Sequence, residues 1–201
     1  MRGGPLPSIV ESFDLFAAAL GLILVLELGD KTQLATISLA TRRPWPAVLA
    51  GAVTGLVAVT AIGAAVGGLL STTLGGWLPA LKIGGGLLFI TFGVWSYLRP
   101  DEEEAPEEDP RGPFFAAFAL NFVAELGDKT QLAVIVLAAT SAAPVSVFAG
   151  ASLGLAGIAV TSVLIGKALA RVLRARWLRL ASTALFVAAG IFLLVEAVLP
   201  D

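Results

Sequence analysis

The residues of this 201-residue chain best suited to chemistry lie in a nine-residue segment that occurs twice. The segment Glu-Leu-Gly-Asp-Lys-Thr-Gln-Leu-Ala occupies residues 27–35 and recurs without change at residues 125–133. Each copy combines two carboxylates, one ammonium group and one carboxamide. Carboxylate and carboxamide oxygens are ligands for hard divalent cations, and carboxylates also take up protons. The repeated segment therefore indicates a site for a hard cation, for protons or for both.

The spacing within each copy predicts which side chains act together. On a continuous helix, Glu27, Asp30 and Lys31 stand at positions i, i+3 and i+4 and share one face, and the second copy repeats this pattern. We predict six oxygen ligands for a metal ion, namely Glu27, Asp30, Gln33, Glu125, Asp128 and Gln131. We assign proton coupling to the four carboxylates among them, charge compensation to Lys31 and Lys129, and accessory roles to Asn121, Thr32 and Thr130.

Both copies lie near the middle of long apolar segments, where charge is costly. Six ionisable groups facing lipid would cost on the order of 15–20 kcal/mol, so we expect all of them to face the interior of the protein. Four carboxylates and two ammonium groups leave two uncompensated negative charges. One divalent cation or two protons would neutralise them, which is the outline of an antiporter. The alternative interpretation is a polar seam that only fastens the helices together.

The composition agrees with a membrane protein. Apolar residues make up 57% of the chain and charged residues 14%, and the mean hydropathy is +0.91. The absence of Cys and His excludes disulfides, thiol nucleophiles, Ser-His-Asp triads and zinc or copper sites with soft or imidazole ligands. The nearly balanced charge does not suggest nucleic acid as a partner. We expect a lipid bilayer, a metal ion and protons as partners, with no cofactor and no obligatory protein partner.

Hydropathy predicts an all-α integral membrane protein with six spans. The spans are 13–40, 46–70, 78–98, 114–141, 144–166 and 178–199. An acidic, proline-rich linker at 99–113 divides the chain into repeat 1 at 1–98 and repeat 2 at 114–201. Three spans in each half place the second half upside down in the membrane, so the duplication predicts an inverted repeat with its site where the halves meet.

The positive charges outside the spans predict the orientation. Most of them fall on one side of the membrane: Arg42, Arg43, Arg99, Arg111, Arg171, Arg174, Arg176 and Arg179. The more basic side of a membrane protein is usually cytoplasmic. We therefore expect the linker 99–113 inside the cell and both termini outside.

The doubled Glu-x-Gly-Asp-Lys-Thr motif, six predicted spans and a charged central loop resemble the family of Golgi, thylakoid and bacterial cation/proton exchangers associated with manganese and calcium homeostasis. The resemblance covers essentially the whole chain. It places the acidic positions of the family on Glu27, Asp30, Glu125 and Asp128. It implies Mn²⁺ or Ca²⁺ moved against protons, with bacterial members exporting manganese. Because no organellar targeting segment is visible, we expect a bacterial inner-membrane protein.

Two features beside the motif have more than one interpretation. Gly29 and Gly127 either loosen the helix, so that backbone carbonyls join the site, or simply allow close packing. Asn121 lies one turn before Glu125, where the first half has the apolar Ile23, and this difference favours Asn121 as an accessory ligand.

Other functions are compatible with the same residues. A cation channel or sensor would need no proton coupling. Two intramembrane Asp residues, each preceded by Gly, also occur in aspartyl proteases, which depend on two carboxylates sharing one proton. The Lys after each Asp favours ionisation of both carboxylates and argues against such an enzyme. Oxygen ligands alone do not distinguish Mn²⁺ from Ca²⁺.

Overall fold

The structure, a computed structural model, describes residues 8–27, 30–98, 112–141, 143–172 and 175–198. These residues are almost entirely helical, and none of them forms a strand. The helices are α1 (Ile9–Glu27), α2 (Lys31–Arg42), α3 (Trp45–Thr73), α4 (Leu78–Leu98), α5 (Pro113–Glu125), α6 (Lys129–Thr140), α7 (Pro144–Val172) and α8 (Ala175–Val198), with one 3₁₀ turn at Gly75–Trp77. Residues 99–111 of the predicted linker lie outside the described part of the chain.

Four of the predicted spans correspond to single helices. They are 46–70, 78–98, 144–166 and 178–199, which match α3, α4, α7 and α8 to within a few residues at most ends. The other two, at 13–40 and 114–141, were predicted as continuous helices, and this was wrong. Each consists of two helices with a break at the repeated segment: α1 and α2 in the first half, α5 and α6 in the second.

The backbone explains the break in the second half. Gly127 has φ +83°, a left-handed conformation that glycine adopts readily and that ends a right-handed helix. Asp128 follows with φ −78° and ψ 173°, and Asp30 in the first half has the similar values −69° and 156°, so each Asp is extended and a new helix starts after it. Leu28 and Gly29 lie outside the described residues. The helix therefore ends at Gly127, as the first of the two sequence-based interpretations requires, and the participation of backbone carbonyls in a site stays a prediction.

Glycines set the distances at which the two halves pack. A Cβ atom at Gly150 in α7 would collide with the carbonyl oxygen of Phe16 in α1, and one at Gly51 in α3 would collide with that of Phe114 in α5. Gly51 and Gly150 occupy corresponding places in the two halves, as do Phe16 and Phe114. The same close approach therefore occurs twice, each time between a helix of one half and a helix of the other.

The last helices of the two halves, α4 and α8, pack antiparallel against each other. A Cβ at Gly86 would lie 2.7 Å from the carbonyl oxygen of Gly190, and one at Gly190 would lie 2.6 Å from that of Gly86. The rings of Phe89 and Phe186 meet edge to face, with centroids 5.4 Å apart. Phe89 and Phe186 are counterparts in the two halves, so this contact joins corresponding residues.

Several helices are suited to a lipid environment. Four are long and apolar enough to cross a membrane: Ile9–Glu27, Trp45–Thr73, Leu78–Trp95 and Pro144–Leu164. Shorter apolar helices are Pro113–Glu125, Lys129–Thr140 and Thr183–Val198. Large apolar side chains are exposed on their outer faces, for example Phe13, Leu69 and Val123. The chain is therefore an all-helical integral membrane protein.

Replacing Gly150 by Ala should destabilise the protein, because the new methyl group would overlap the backbone of α1. We expect Gly150→Ala to lower the free energy of unfolding by about 1–3 kcal/mol. Gly157→Ala is the matched control in the same helix, since a Cβ there meets no atom within 4 Å. The measurement is thermal unfolding in detergent, followed by tryptophan fluorescence. Equal transition temperatures for the two variants would contradict the packing described here.

Candidate metal centre

The two helix breaks bring the ends of four helices to the repeated segments. Glu27 is the last residue of α1 and Asp30 directly precedes α2. Glu125 and Asp128 have the same positions relative to α5 and α6. In both breaks the Asp N–H donates to the Glu carbonyl oxygen at 3.2 Å. The predicted common helical face of Glu27, Asp30 and Lys31 is therefore wrong: these residues lie on either side of a break.

The four carboxylates of the repeated segments nevertheless converge. Glu27, Asp30, Glu125 and Asp128 each offer an oxygen, and these oxygens all lie within 4.8 Å of one another. Glu27 is 3% exposed and Glu125 is 1% exposed, whereas the two Asp residues are partly buried. Four carboxylates this close together repel one another strongly unless cations or protons compensate them. The cluster, made equally by both halves, has the composition of a site for a hard cation.

Lys129 compensates part of this charge. Its Nζ lies 2.8 Å from Asp30 Oδ1 and 2.9 Å from Asp128 Oδ2, and 3.6 Å from Glu27 Oε1. The side chain is buried, so these contacts replace most of its hydration. One ammonium group thus bridges the Asp residues of the two halves. The side chain of Lys31, its counterpart, is not among those the structure describes.

The two Glu residues have different surroundings. Glu27 Oε1 accepts a hydrogen bond from the hydroxyl of Thr130, which belongs to the other half. Neither carboxylate oxygen of Glu125 has a hydrogen-bond partner among the described residues, although both atoms are fully buried. An ionised carboxylate without partners is costly in such a place. Glu125 therefore needs a proton, a water molecule or a cation, and it is the carboxylate of the cluster for which neither oxygen is bonded by a described residue.

A small cavity, partly open, lies beside the carboxylates and is lined by residues of α1, α2, α3, α5 and α7. Its polar lining consists of Glu27, Thr32, Gln33, Thr36, Asn121, Glu125 and Ser162. The apolar side chains of Leu56 and Leu155 form part of the remaining wall. Glu125 is among the residues that line this space.

The structure brings most of the predicted site residues together. Gln33, Thr32 and Asn121 line the cavity beside the two Glu residues, and Thr130 contacts Glu27 directly. The amide oxygen of Gln131 accepts a hydrogen bond from the N–H of Gly127 inside the helix break.

Two residues of the cavity were missed by the sequence analysis. Thr36 lies one turn beyond Thr32 in α2, so helical spacing from the motif points to it. Ser162 lies in α7, far along the chain from either motif, and its hydroxyl donates to the carbonyl oxygen of Ile158 at 2.6 Å. Only the packing of α7 against α1, α2 and α3 reveals that Ser162 lines the cavity beside the carboxylates.

Comparison with known proteins identifies the family. The family described as "Divalent cation/proton antiporter GDT1" matches residues 15–104 and 113–201. A protein of Vibrio cholerae named "Putative manganese exporter" is 36% identical over 161 residues, which cover 77% of each chain. A GDT1-like protein of Synechocystis is 37% identical over 171 residues, covering 76% of this chain and 82% of its own.

A more distant relative extends the match over more of the sequence. GDT1-like protein 5 of Arabidopsis thaliana is 28% identical over 216 residues, covering 88% of this chain and 93% of its own. No solved structure matches the chain. Because the family covers both halves and the linker separates its two matched segments, the chain belongs to the GDT1 family of divalent cation/proton antiporters, which are transporters and not enzymes.

Proposed function

We propose that this protein exports Mn²⁺ from the cytoplasm in exchange for protons, with Ca²⁺ as a second cargo. The metal ion and the protons bind in turn at the cluster of Glu27, Asp30, Glu125 and Asp128. The observation that carries the proposal is the state of Glu125. Its buried carboxylate has no hydrogen-bond partner among the described residues, and it has an oxygen within 4.8 Å of oxygens of three other carboxylates. Glu125 also lines the cavity. A hard divalent cation or protons satisfy these oxygens, and the family exchanges such cations for protons.

The charge balance supports two protons for each metal ion. Four carboxylates and the ammonium groups of Lys31 and Lys129 leave two negative charges. The contacts of Lys129 to Asp30 and Asp128 support its predicted role in charge compensation. Because the neutralised cluster has the same charge with one divalent ion or with two protons, either form can be enclosed within the bilayer.

The oxygen donors set the expected coordination shell. The four carboxylates supply the charged ligands, and Gln33 and Asn121 lie at the same cavity. We assign Gln131 and Thr130 to support of the site instead, since Gln131 bonds the helix break and Thr130 bonds Glu27. Mn²⁺ is the preferred cargo in this proposal because the Vibrio cholerae relative is named as a manganese exporter.

We further propose that residues 1–98 and 114–201 are inverted repeats joined by a cytoplasmic linker at 99–113, with both termini outside. The directions of packing support this arrangement. Phe16 and Ile23 of α1 meet Gly150 and Gly154 of α7 in the same order along both helices, so these helices run parallel. The corresponding helices α4 and α8 run antiparallel. Six membrane crossings, two of them through broken helices, reproduce both directions.

A polar seam without transport and an aspartyl protease fit the site less well. A seam does not explain why a buried carboxylate faces a cavity without a partner. Lys129 lies 2.8–2.9 Å from oxygens of Asp30 and Asp128, which stabilises both as carboxylates and leaves no dyad sharing one proton. The exchanger is therefore the function that the geometry supports best.

We expect uptake of Mn²⁺ into proteoliposomes to rise with an opposing pH gradient and to fall to background in both Glu27→Gln and Glu125→Gln, because the two residues belong to one site. Ca²⁺ uptake should fall in parallel. Glu196→Gln is the matched control, since Glu196 is exposed and pairs with Lys82 at 2.7 Å, outside the carboxylate cluster. Flux that survives one of the first two substitutions would show that the motifs act separately. Flux that ignores the gradient would instead indicate a channel.

Metal binding should release about two protons and should weaken as pH falls. Carboxylates bind metal only when they are ionised, so protons compete with the cation and the dissociation constant for Mn²⁺ rises on acidification. Titration calorimetry of the purified protein in buffers of different ionisation enthalpy measures the number of protons released. Glu196→Gln should leave this number unchanged. An affinity that does not vary between pH 5 and pH 8 would refute proton coupling at this site.

A further inference from the structure

The cavity beside the carboxylates contains a buried polar pair, of which only Asn121 has been given a role above. The hydroxyl of Thr36 in α2 donates to Asn121 Oδ1 in α5 at 3.1 Å. Asn121 Nδ2 in turn donates to the carbonyl oxygen of Ala117 at 2.8 Å. Thr36 is 2% exposed and Asn121 is 3% exposed, and both line the cavity. Because a carboxamide oxygen accepts two hydrogen bonds, Asn121 Oδ1 retains a lone pair for a further partner.

The corresponding positions of the other half are apolar. Ile23 stands where the second half has Asn121, and Val134 stands where the first half has Thr36. Both are fully buried and belong to one hydrophobic cluster. Gly63 corresponds to Ser162, and a Cβ at Gly63 would lie 3.3 Å from Val134 Cγ1. The three polar side chains at the cavity are Thr36, Asn121 and Ser162. Their counterparts in the other half belong to a closely packed, mainly apolar region.

This difference shows that the fold itself does not need the polar pair. Isoleucine and valine fill the equivalent places, and apolar side chains cost nothing to bury. Burying a hydroxyl and a carboxamide gives little net stability, even when they bond each other. A divalent cation, in contrast, leaves water only when oxygens replace its hydration shell. Polar oxygens on one side of the cluster and apolar groups on the other are therefore suited to admitting an ion from one side.

The polar side is also the side predicted to face the cytoplasm. Thr36 lies between the cluster and the end of α2 that carries Arg42, and Asn121 lies between the start of α5 and Glu125. The linker and the basic residues used to predict the orientation adjoin these same helix ends. An ion reaching Glu125 from the cytoplasm would pass the Thr36–Asn121 pair.

We propose that Thr36 and Asn121 form the entry step of the cytoplasmic cation pathway, in which the hydroxyl of Thr36 positions the Asn121 carboxamide oxygen to replace water of the divalent cation before it reaches Glu125. Ile23 and Val134 form the apolar closure on the opposite side. The two sides of the duplicated site therefore differ in chemistry. This inference rests on the proposed cation transport and adds residues that govern affinity.

The test is Mn²⁺ uptake at a fixed pH gradient, measured as a function of Mn²⁺ concentration in proteoliposomes whose protein orientation is determined by protease accessibility. We expect Thr36→Val to raise KM for Mn²⁺ applied at the cytoplasmic side by about ten-fold, with the maximal rate within two-fold of wild type. The substitution removes the hydroxyl oxygen of Thr36 and with it the hydrogen bond that positions Asn121 Oδ1. Thr36→Ser keeps the hydroxyl and should restore the wild-type KM.

Thr60→Val is the matched control. Thr60 is 2% exposed, lies in α3 where α7 has Ala159, and its hydroxyl donates to Leu56 O within its own helix at 2.7 Å. The same chemical change there should leave KM unchanged. Asn121→Leu should raise KM at least as much as Thr36→Val, and adding Thr36→Val to it should have no further effect, because Thr36 acts through Asn121.

The outcomes separate this inference from the function on which it rests. If wild-type protein carries no Mn²⁺, the proposed function fails. If wild-type protein carries Mn²⁺ but Thr36→Val and Thr60→Val have equal KM values, the entry step is refuted and the exchanger stands. Equal effects of Thr36→Val on KM from the two sides would also overturn the assignment of the pair to the cytoplasmic side. Thermal unfolding of each variant identifies any loss caused by misfolding.

Discussion

Holding four carboxylates together among apolar helices has a high electrostatic cost, and the rest of the structure must compensate it. Unpaired, such a cluster is strongly unfavourable in a medium of low dielectric constant. The protein lowers this cost with its own groups: Lys129 bridges Asp30 and Asp128, and Thr130 donates to Glu27. Among the described residues, none bonds the carboxylate of Glu125. In the proposed exchanger, the transported ion or protons supply the compensation that is missing there.

The helix breaks also help to compensate the charge of the cluster. A continuous helix would bury its peptide groups in internal hydrogen bonds, whereas each break directs the carbonyl end of one helix and the amide end of the next to the cluster. The positive ends of α2 and α6 lie at Asp30 and Asp128 and favour their negative charge. The carbonyl ends of α1 and α5 favour a cation. Backbone and side chains therefore contribute to the same charge balance.

Much of this arrangement follows from the sequence, and some of it does not. The duplication, the helix content and the convergence of Glu27, Asp30, Glu125 and Asp128 are predictable, since expensive charges at equivalent places in two repeats must face each other. The break at Asp128 was not predicted, because periodicity does not reveal that Gly127 takes a left-handed conformation. Nor does it reveal that the amide oxygen of Gln131 accepts a hydrogen bond from the N–H of Gly127 inside the break.

The shared cluster has a consequence for how such a protein can arise. Either half alone supplies only two of the four carboxylates, Glu27 with Asp30 or Glu125 with Asp128. In the proposed inverted arrangement, a half-length chain would complete the site only by pairing with a second copy inserted in the opposite direction. Fusion of two such copies removes the need for one sequence to insert both ways. It also frees each half to change separately, and the polar pair on one side of the cluster and the apolar pair on the other are differences that a symmetric dimer of identical chains cannot have.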